Sequence, residues 1–148
     1  MNNEMKLSFK AITENESFAR VCVASFCSSL NPSIDVLADI KTAVSEAVTN
    51  CIVHAYPQSF GCGNVEINVQ IIGNNITIAI KDYGIGIDDI EKARMPFYTS
   101  KPNSERSGIG FTVMEGFMDS VEVKSAKGCG TTVIMHKTIV QQGVQVGG

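Results

Sequence analysis

The sequence predicts an α+β fold, a two-layer sandwich of one mixed, mainly antiparallel sheet with its helices on one face. Three observations lead there. Val65, Ile67, Val69 and Ile71 alternate with other residues, Gly73-Asn74-Asn75 turns the chain, and Ile76, Ile78 and Ile80 alternate on the way back, which describes a hairpin. Two stretches before it repeat apolar residues every three or four positions, the spacing of helices with one buried stripe. Shorter alternating runs close the chain. Hairpins pair antiparallel, and helices that each bury one stripe cover one sheet face.

Met5 to Ile12 alternates Leu7, Phe9 and Ala11, a half-buried strand. Thr13-Glu14-Asn15-Glu16 has the form of a capping box, so a helix is expected to start there. Its apolar stripe reads Phe18, Val21, Cys22, Phe26 and Leu30, with Glu16 and Arg20 four apart on the exposed side. The plain account of that pair is an ion pair worth a few tenths of a kcal/mol. Asn31 is expected as the N-cap of the next helix, with Pro32 at its first position.

The central helix, Asp39 to Tyr56, has two unlike faces. Ile40, Ala43, Val44, Ala47, Val48, Cys51 and Ile52 form an apolar stripe, while Thr42, Ser45, Glu46, Thr49, Asn50 and His54 lie opposite. That second face is small, hydroxylated and nearly uncharged, unlike one that meets only water. Glu46, Asn50 and His54 stand four residues apart and share one edge. Taken alone, such a pair of Glu and Asn is also what chance places on a helix surface.

A loop over 58–63 leads to the hairpin, whose second strand runs into Asp82-Tyr83-Gly84-Ile85-Gly86-Ile87. Asp88 to Arg94 reads as a short helix. Met95 to Ser107 has two prolines and no periodicity, a loop long enough to act as a lid. Gly108-Ile109-Gly110 ends it and Phe111 to Met118 resumes a helix. Val121 and Val123 mark a strand, 127–130 a turn, and Thr131 to Lys137 a last strand. Residues 1–140 thus form one domain, and the polar, Gly-rich residues 141–148 a flexible tail.

Composition narrows the function classes. The 148 residues are 44% hydrophobic, enough for one globular core. Twelve basic against fifteen acidic residues give a formal charge of -3, without the basic stripe that direct nucleic-acid binding needs. No apolar run reaches the ~18 residues of a membrane span. The N-terminus lacks signal-peptide shape, so a cytoplasmic protein is expected. The five cysteines form no C-x-x-C pair and read as thiols in a reducing compartment, Cys22 and Cys51 on apolar helix faces, with no metal cluster expected.

The glycine clusters suggest chemistry. Asp82 ends a strand of isoleucines beside two glycines, and a fixed carboxylate can accept from the exocyclic amine of adenine. Gly84 and Gly86 would let the backbone approach a flat ring, although a tight turn needs glycine as well. Ser107-Gly108-Ile109-Gly110 opens a helix after a polar loop, where exposed amides and the helix N-terminus suit phosphates. Asn50 offers an amide oxygen to Mg2+, and Glu46 one turn earlier can deprotonate an attacking hydroxyl or water. Lys101 and Arg106 in the lid could neutralise phosphate charge, or simply be solvated.

In order along the chain, Glu46-x-x-x-Asn50-x-x-x-His54-Ala55, Asp82-x-Gly84-x-Gly86, Gly108-x-Gly110 and Gly130-Thr131-Thr132 resemble the four nucleotide-binding boxes of the GHKL ATPases. More closely, NESFAR, IKTAVSEAVTNCIVHAY and the lid resemble the anti-sigma F factors of endospore-forming bacteria, over residues 4–140. The resemblance implies a Bergerat-type α/β sandwich and a homodimeric serine protein kinase of sporulation that uses ATP and Mg2+. It implies two partners: sigma factor F, which is sequestered, and an anti-anti-sigma factor, which is phosphorylated. It implies Glu46 as catalytic base, Asn50 as Mg2+ ligand and Asp82 as adenine acceptor beside Gly84 and Gly86. It places Gly108 and Gly110 at the phosphates, Thr131 at the nucleotide, and Arg20 with Glu16 on the partner-contacting surface. The alternative is an ATP-binding sequestering module, or a histidine-kinase-like ATPase domain, without serine kinase activity. A histidine kinase would need a phosphoacceptor on an upstream helix, and the two histidines are His54 and His136. An intact Glu46 favours catalysis.

Overall fold

The computed structural model describes residues 1–56, 63–87, 89–94 and 110–140. Five strands form one sheet: β1 (Asn2–Lys10), β2 (Asn64–Ile72), β3 (Asn75–Asp82), β4 (Ser120–Ser125) and β5 (Thr131–Thr138). Their order is β1-β2-β3-β5-β4, and every pairing is antiparallel, so the expected mixed component is absent among the described residues. The helices are α1 (Glu14–Cys27), α2 (Ile34–Asn50), the short α3 (Ile90–Ala93) and α4 (Gly110–Phe117).

The hairpin register follows from its alternation. Ile67 pairs with Ile80, Val69 with Ile78 and Ile71 with Ile76, all on the buried face. The same face of β5 adds Val133 and Met135. Against it pack Ile40, Ala43, Val44, Ala47 and Val48 of α2 and Met114 of α4, so the helices cover one side of the sheet. The other side carries Lys6, Ser8, Glu66, Asn68, Lys81 and Thr132, a shallow depression of about 400 Å³.

Several expectations change. The first strand starts at Asn2 and stops at Lys10, because pairing with β2 runs the full length from Asn2–Ile72 to Lys10–Asn64. Thr13 is helical (φ -55, ψ -37) and its side chain caps nothing, so no capping box forms. The backbone turns instead through Asn15 N–H to Ile12 O and Glu16 N–H to Thr13 O. The stripe predicted for α1 is rotated. Ala19, Val23, Ala24 and Cys27 are buried, whereas Phe18 and Val21 are 51% and 56% exposed and Cys22 is half-buried. Small side chains face α2, where two helix backbones approach, and the larger ones are displaced outward.

Asn31 does not cap the next helix. It lies in the left-handed region (φ 52, ψ 50) and ends the 3-10 turn Ser28–Leu30. Ser33 is the N-cap of α2, accepting from the Val36 N–H at 3.1 Å, so Pro32 precedes the cap. The α-helix stops at Asn50 and continues as a π turn, Cys51–Ala55, rather than running on to Tyr56. The short helix after the G-x-G segment starts at Ile90, capped by the Asp89 carboxylate on Lys92 N–H. The loop over 95–109 and the tail over 141–148 lie outside the described residues. Among the described residues no helix is long and apolar enough to cross a membrane.

The rotated face of α1 is measurable by urea denaturation. Val23→Ala should lower stability by about 1–3 kcal/mol, while Phe18→Ser should stay within about 0.5 kcal/mol of the parent. Equal losses would restore the face read from the sequence.

Candidate functional site

Helix α2 carries the first part of the site. Its apolar stripe locks it to the sheet, which fixes where the opposite edge points. Glu46 on that edge is buried, at 7% exposure, and Asn50 one turn later is half-buried. Gly110 opens α4 directly beside Asn50. A β-carbon there would stand 3.1 Å from Asn50 Nδ2 and 3.2 Å from Oδ1, so only a bare α-carbon lets the start of α4 lie this close without pressing the amide. The electropositive end of α4 therefore meets the amide-bearing end of α2.

Asp82 closes β3. Its side chain is 4% exposed. Its Oδ1 accepts from Gly84 N–H at 3.0 Å and from Thr131 N–H at 3.2 Å, the latter across the β3–β5 ladder. Cys51, first in the π turn, is buried in the core. Burial pushes the Asp82 carboxyl above its ordinary range, and the Gly84 amide, the Thr131 amide and the Cys51 thiol pull against that rise. Burial, and then the Asp82 charge, push the Cys51 thiol well above its ordinary range.

The loop after Asp82 is docked by backbone contacts. Ile85 N–H donates to Ala55 O at 2.9 Å, and a β-carbon on Gly84 would collide with that same Ala55 carbonyl. The π turn thus shapes the seat for this loop, and such turns recur at functional sites. Gly86 has φ +76, and a β-carbon there would strike the Ala126 carbonyl. Ser125 Oγ accepts from Ile87 N–H at 2.8 Å, donates to Gly130 O at 3.0 Å and shares a hydrogen bond with Thr131 Oγ1 at 2.7 Å. Tyr56 adds a second tie: its hydroxyl accepts from Tyr83 N–H at 2.7 Å and donates to Asn64 O at 2.8 Å.

Asp82, Gly84, Gly86 and Thr131 thus meet in one corner, and Asn50 and Gly110 meet in another one turn from Glu46. The space beside Gly84 and Gly86 is filled by this chain's own backbone, which supplies a packing reason for both glycines. Lys101, Arg106, Ser107 and Gly108 lie outside the described residues. Glu16 and Arg20 sit on α1 as the expected i,i+4 pair, Nε to Oε2 at 3.2 Å, with Arg20 also donating to Ser17 Oγ at 3.3 Å. Sequence reasoning missed the parts of Tyr56 and Ser125: Tyr56 reads only as the end of the central helix, and Ser125 stands in no recognisable motif. Among the described residues no cluster of His, Cys, Asp and Glu could hold a metal.

Residues 9–137 match the model of the histidine kinase-like ATPase domain. The anti-sigma F factor of Bacillus licheniformis is 51% identical over 137 residues, covering 93% of each chain. That of Clostridium beijerinckii is 55% identical, covering 92% of this chain and 94% of its own. Among solved structures, the RsbU and RsbW domains of Rv1364c from Mycobacterium tuberculosis superpose with a TM-score of 0.66 at 16% identity, covering 93% of this chain and 32% of that one. The catalytic domain of the histidine kinase ThkA superposes at 0.57 and 15% identity, covering 91% and 96%. These two establish a shared fold.

The raised Asp82 carboxyl has a consequence for stability. A raised acid binds its proton more tightly folded than unfolded, so its contribution to stability falls as pH rises above the unfolded carboxyl value of about 4. Asp82→Asn should leave the nucleotide-free protein more stable than the parent, with the difference growing as pH rises from about 4 toward 7. Thermal melts across that range check it, and a difference independent of pH would contradict the raised carboxyl.

Proposed function

Because the chain belongs to the anti-sigma F factor family of histidine kinase-like ATPase domains, we propose that it is a cytoplasmic, homodimeric serine kinase of sporulation. It binds ATP, sequesters sigma factor F, and phosphorylates a serine of its anti-anti-sigma antagonist. A histidine kinase-like ATPase domain implies ATP binding. The observation that carries it is Asp82, a buried carboxylate held by two backbone amides at a strand end. Such a group is costly to the folded chain alone and suited to accept from an adenine amine.

Around the adenine, Gly84, Gly86 and Thr131 set the backbone that holds Asp82. Gly108 and Gly110, with Ser107, Lys101 and Arg106 of the lid, take the phosphates. Asn50 is the protein's ligand to Mg2+. One neutral amide oxygen suits an ion that keeps its waters and binds mainly through nucleotide phosphates. When bound, the ion neutralises charge on the phosphate oxygens. Glu46 accepts the proton of the attacking serine hydroxyl as its oxygen bonds to the γ-phosphorus and the bond from that phosphorus to the β,γ-bridging oxygen breaks, releasing ADP. Its burial keeps water from competing for that proton. Glu16 and Arg20 mark the partner surface on α1, flanked by exposed Phe18 and Val21.

Incubating the chain with labelled ATP, Mg2+ and the antagonist tests the activity. Phosphoserine on the antagonist is expected. Label on histidine would indicate a histidine kinase, and ATP binding without transfer would indicate a sequestering module. Glu46→Gln should bind ATP as the parent does and slow transfer by about 10²–10⁴-fold, because an amide cannot take the hydroxyl proton. Transfer at the parent rate would remove Glu46 from the base role. Asp82→Asn should weaken ATP binding about tenfold or more by calorimetry.

A further inference from the structure

The β2–β3 ladder ends at Val65–Asp82, so the next residues to face each other in register are Asn64 and Tyr83. Between them lies the Tyr56 hydroxyl. Its oxygen accepts from Tyr83 N–H at 2.7 Å, and its proton goes to Asn64 O at 2.8 Å. A phenol has one proton to give, and this one is committed. The hydroxyl thus stands where one more rung of the ladder would form. Asn64 stays in the sheet through Lys10 of β1, so it is Tyr83 and the chain after it that are held off. The ring is no loose arm. It packs against the core, and a β-carbon on Gly63 would collide with it.

Three successive amides follow Asp82. Tyr83 N–H meets the Tyr56 hydroxyl, Gly84 N–H meets Asp82 Oδ1 at 3.0 Å, and Ile85 N–H meets Ala55 O at 2.9 Å. The Gly84 amide is thereby bracketed by ties to Ala55 and Tyr56, adjacent residues where the π turn ends. One bracket is backbone. The other rests on a single side-chain oxygen. Because a peptide unit is planar, holding Tyr83 N–H also sets the Asp82 carbonyl, against which Gly130 lies with no room for a β-carbon. Without the hydroxyl, Tyr83 can close onto Asn64 as a further rung, and that movement draws the Gly84 amide away from Asp82 Oδ1. A carboxylate that loses a backbone donor loses the orientation in which it meets an exocyclic amine.

We propose that Tyr56 is a positioning residue for the adenine site: its hydroxyl, inserted between Asn64 and Tyr83, holds the loop whose Gly84 amide orients the Asp82 carboxylate. The proposal rests on the reading of Asp82 as the adenine acceptor. A hydroxyl bridge can also serve stability alone, and the test separates the two roles.

Calorimetric binding of ATP and of adenosine is compared for the parent, Tyr56→Phe, Asp82→Asn and the double variant, with melting curves to confirm folding. Phe keeps the ring and removes the oxygen. Tyr56→Phe should weaken ATP and adenosine by the same factor, about fivefold, so that the share contributed by the phosphates is untouched. In the Asp82→Asn background the same substitution should cost nothing further, since the acceptor it serves is gone. A lower melting temperature with parent-like binding of both ligands, or an equal loss in both backgrounds, overturns the proposal. Loss of ATP binding with adenosine unchanged overturns it as well. Amide hydrogen exchange of the parent needs no variant: Tyr83 and Gly84 should share one protection factor, close to that of the β3 amides, and an unprotected Tyr83 amide overturns the bridge. Parent-like ATP binding by Asp82→Asn would overturn the reading of Asp82 itself, and with it the role of Tyr56. Loss in Asp82→Asn with no effect at Tyr56 overturns this inference alone.

Discussion

A carboxylate taken out of water must be met by fixed donors, and the site is arranged around meeting this demand at Asp82. The donors come from two directions: the loop just past β3 and the first residue of β5. Neither segment can shift alone without stripping a hydrogen bond from a buried charge. The position of Asp82 is therefore determined by the sheet and by the loop that the Ala55 carbonyl holds in place. The donors reduce the cost of burial without cancelling it, since the carboxyl still sits above its ordinary range. Under the proposed function, the exocyclic amine of adenine is the further donor that such a carboxylate suits.

The same economy of contact governs the loops. Ala55 offers one carbonyl to the Ile85 amide, and Gly84 leaves the room in which that carbonyl lies. Gly130 has φ +80 and abuts the Asp82 carbonyl, so the β4–β5 turn closes onto the strand end. Ser125 then fastens the turn to Ile87 and Thr131 at once. Loop positions are thus set by backbone meeting backbone at van der Waals distance, which tolerates far less drift than a side-chain contact would.

Much of this was legible in the sequence. The hairpin register followed from isoleucine alternation, because a one-residue slip would expose every one of them. The stripe of α2 was legible for a similar reason: all seven of its apolar residues are buried. Helix α1 was misread because its buried face is made of alanine and cysteine around a single valine. Large apolar residues mark a stripe most visibly in a sequence, but helix packing favours small residues where backbones approach. The caps at Thr13 and Asn31 failed because several neighbouring residues can cap, and only backbone geometry chooses among them. Asp82 and its glycines were visible as a motif. The π turn that seats the loop after Asp82 was not, since the apolar stripe of α2 runs on into it through Cys51 and Ile52.

The π turn at the end of α2 serves both sides of the helix. The apolar stripe, down to Cys51 and Ile52, is core, while the opposite edge carries Glu46 and Asn50, and the helix has only 3.6 residues per turn to separate them. Where the turn widens after Asn50, Cys51 and Ile52 stay buried and the Ala55 carbonyl meets the Ile85 amide of the loop that follows Asp82. The π turn therefore does more than end the helix: by a backbone contact it seats the loop whose Gly84 amide holds the Asp82 carboxylate. The break in helical geometry is what couples the rigid core to the carboxylate.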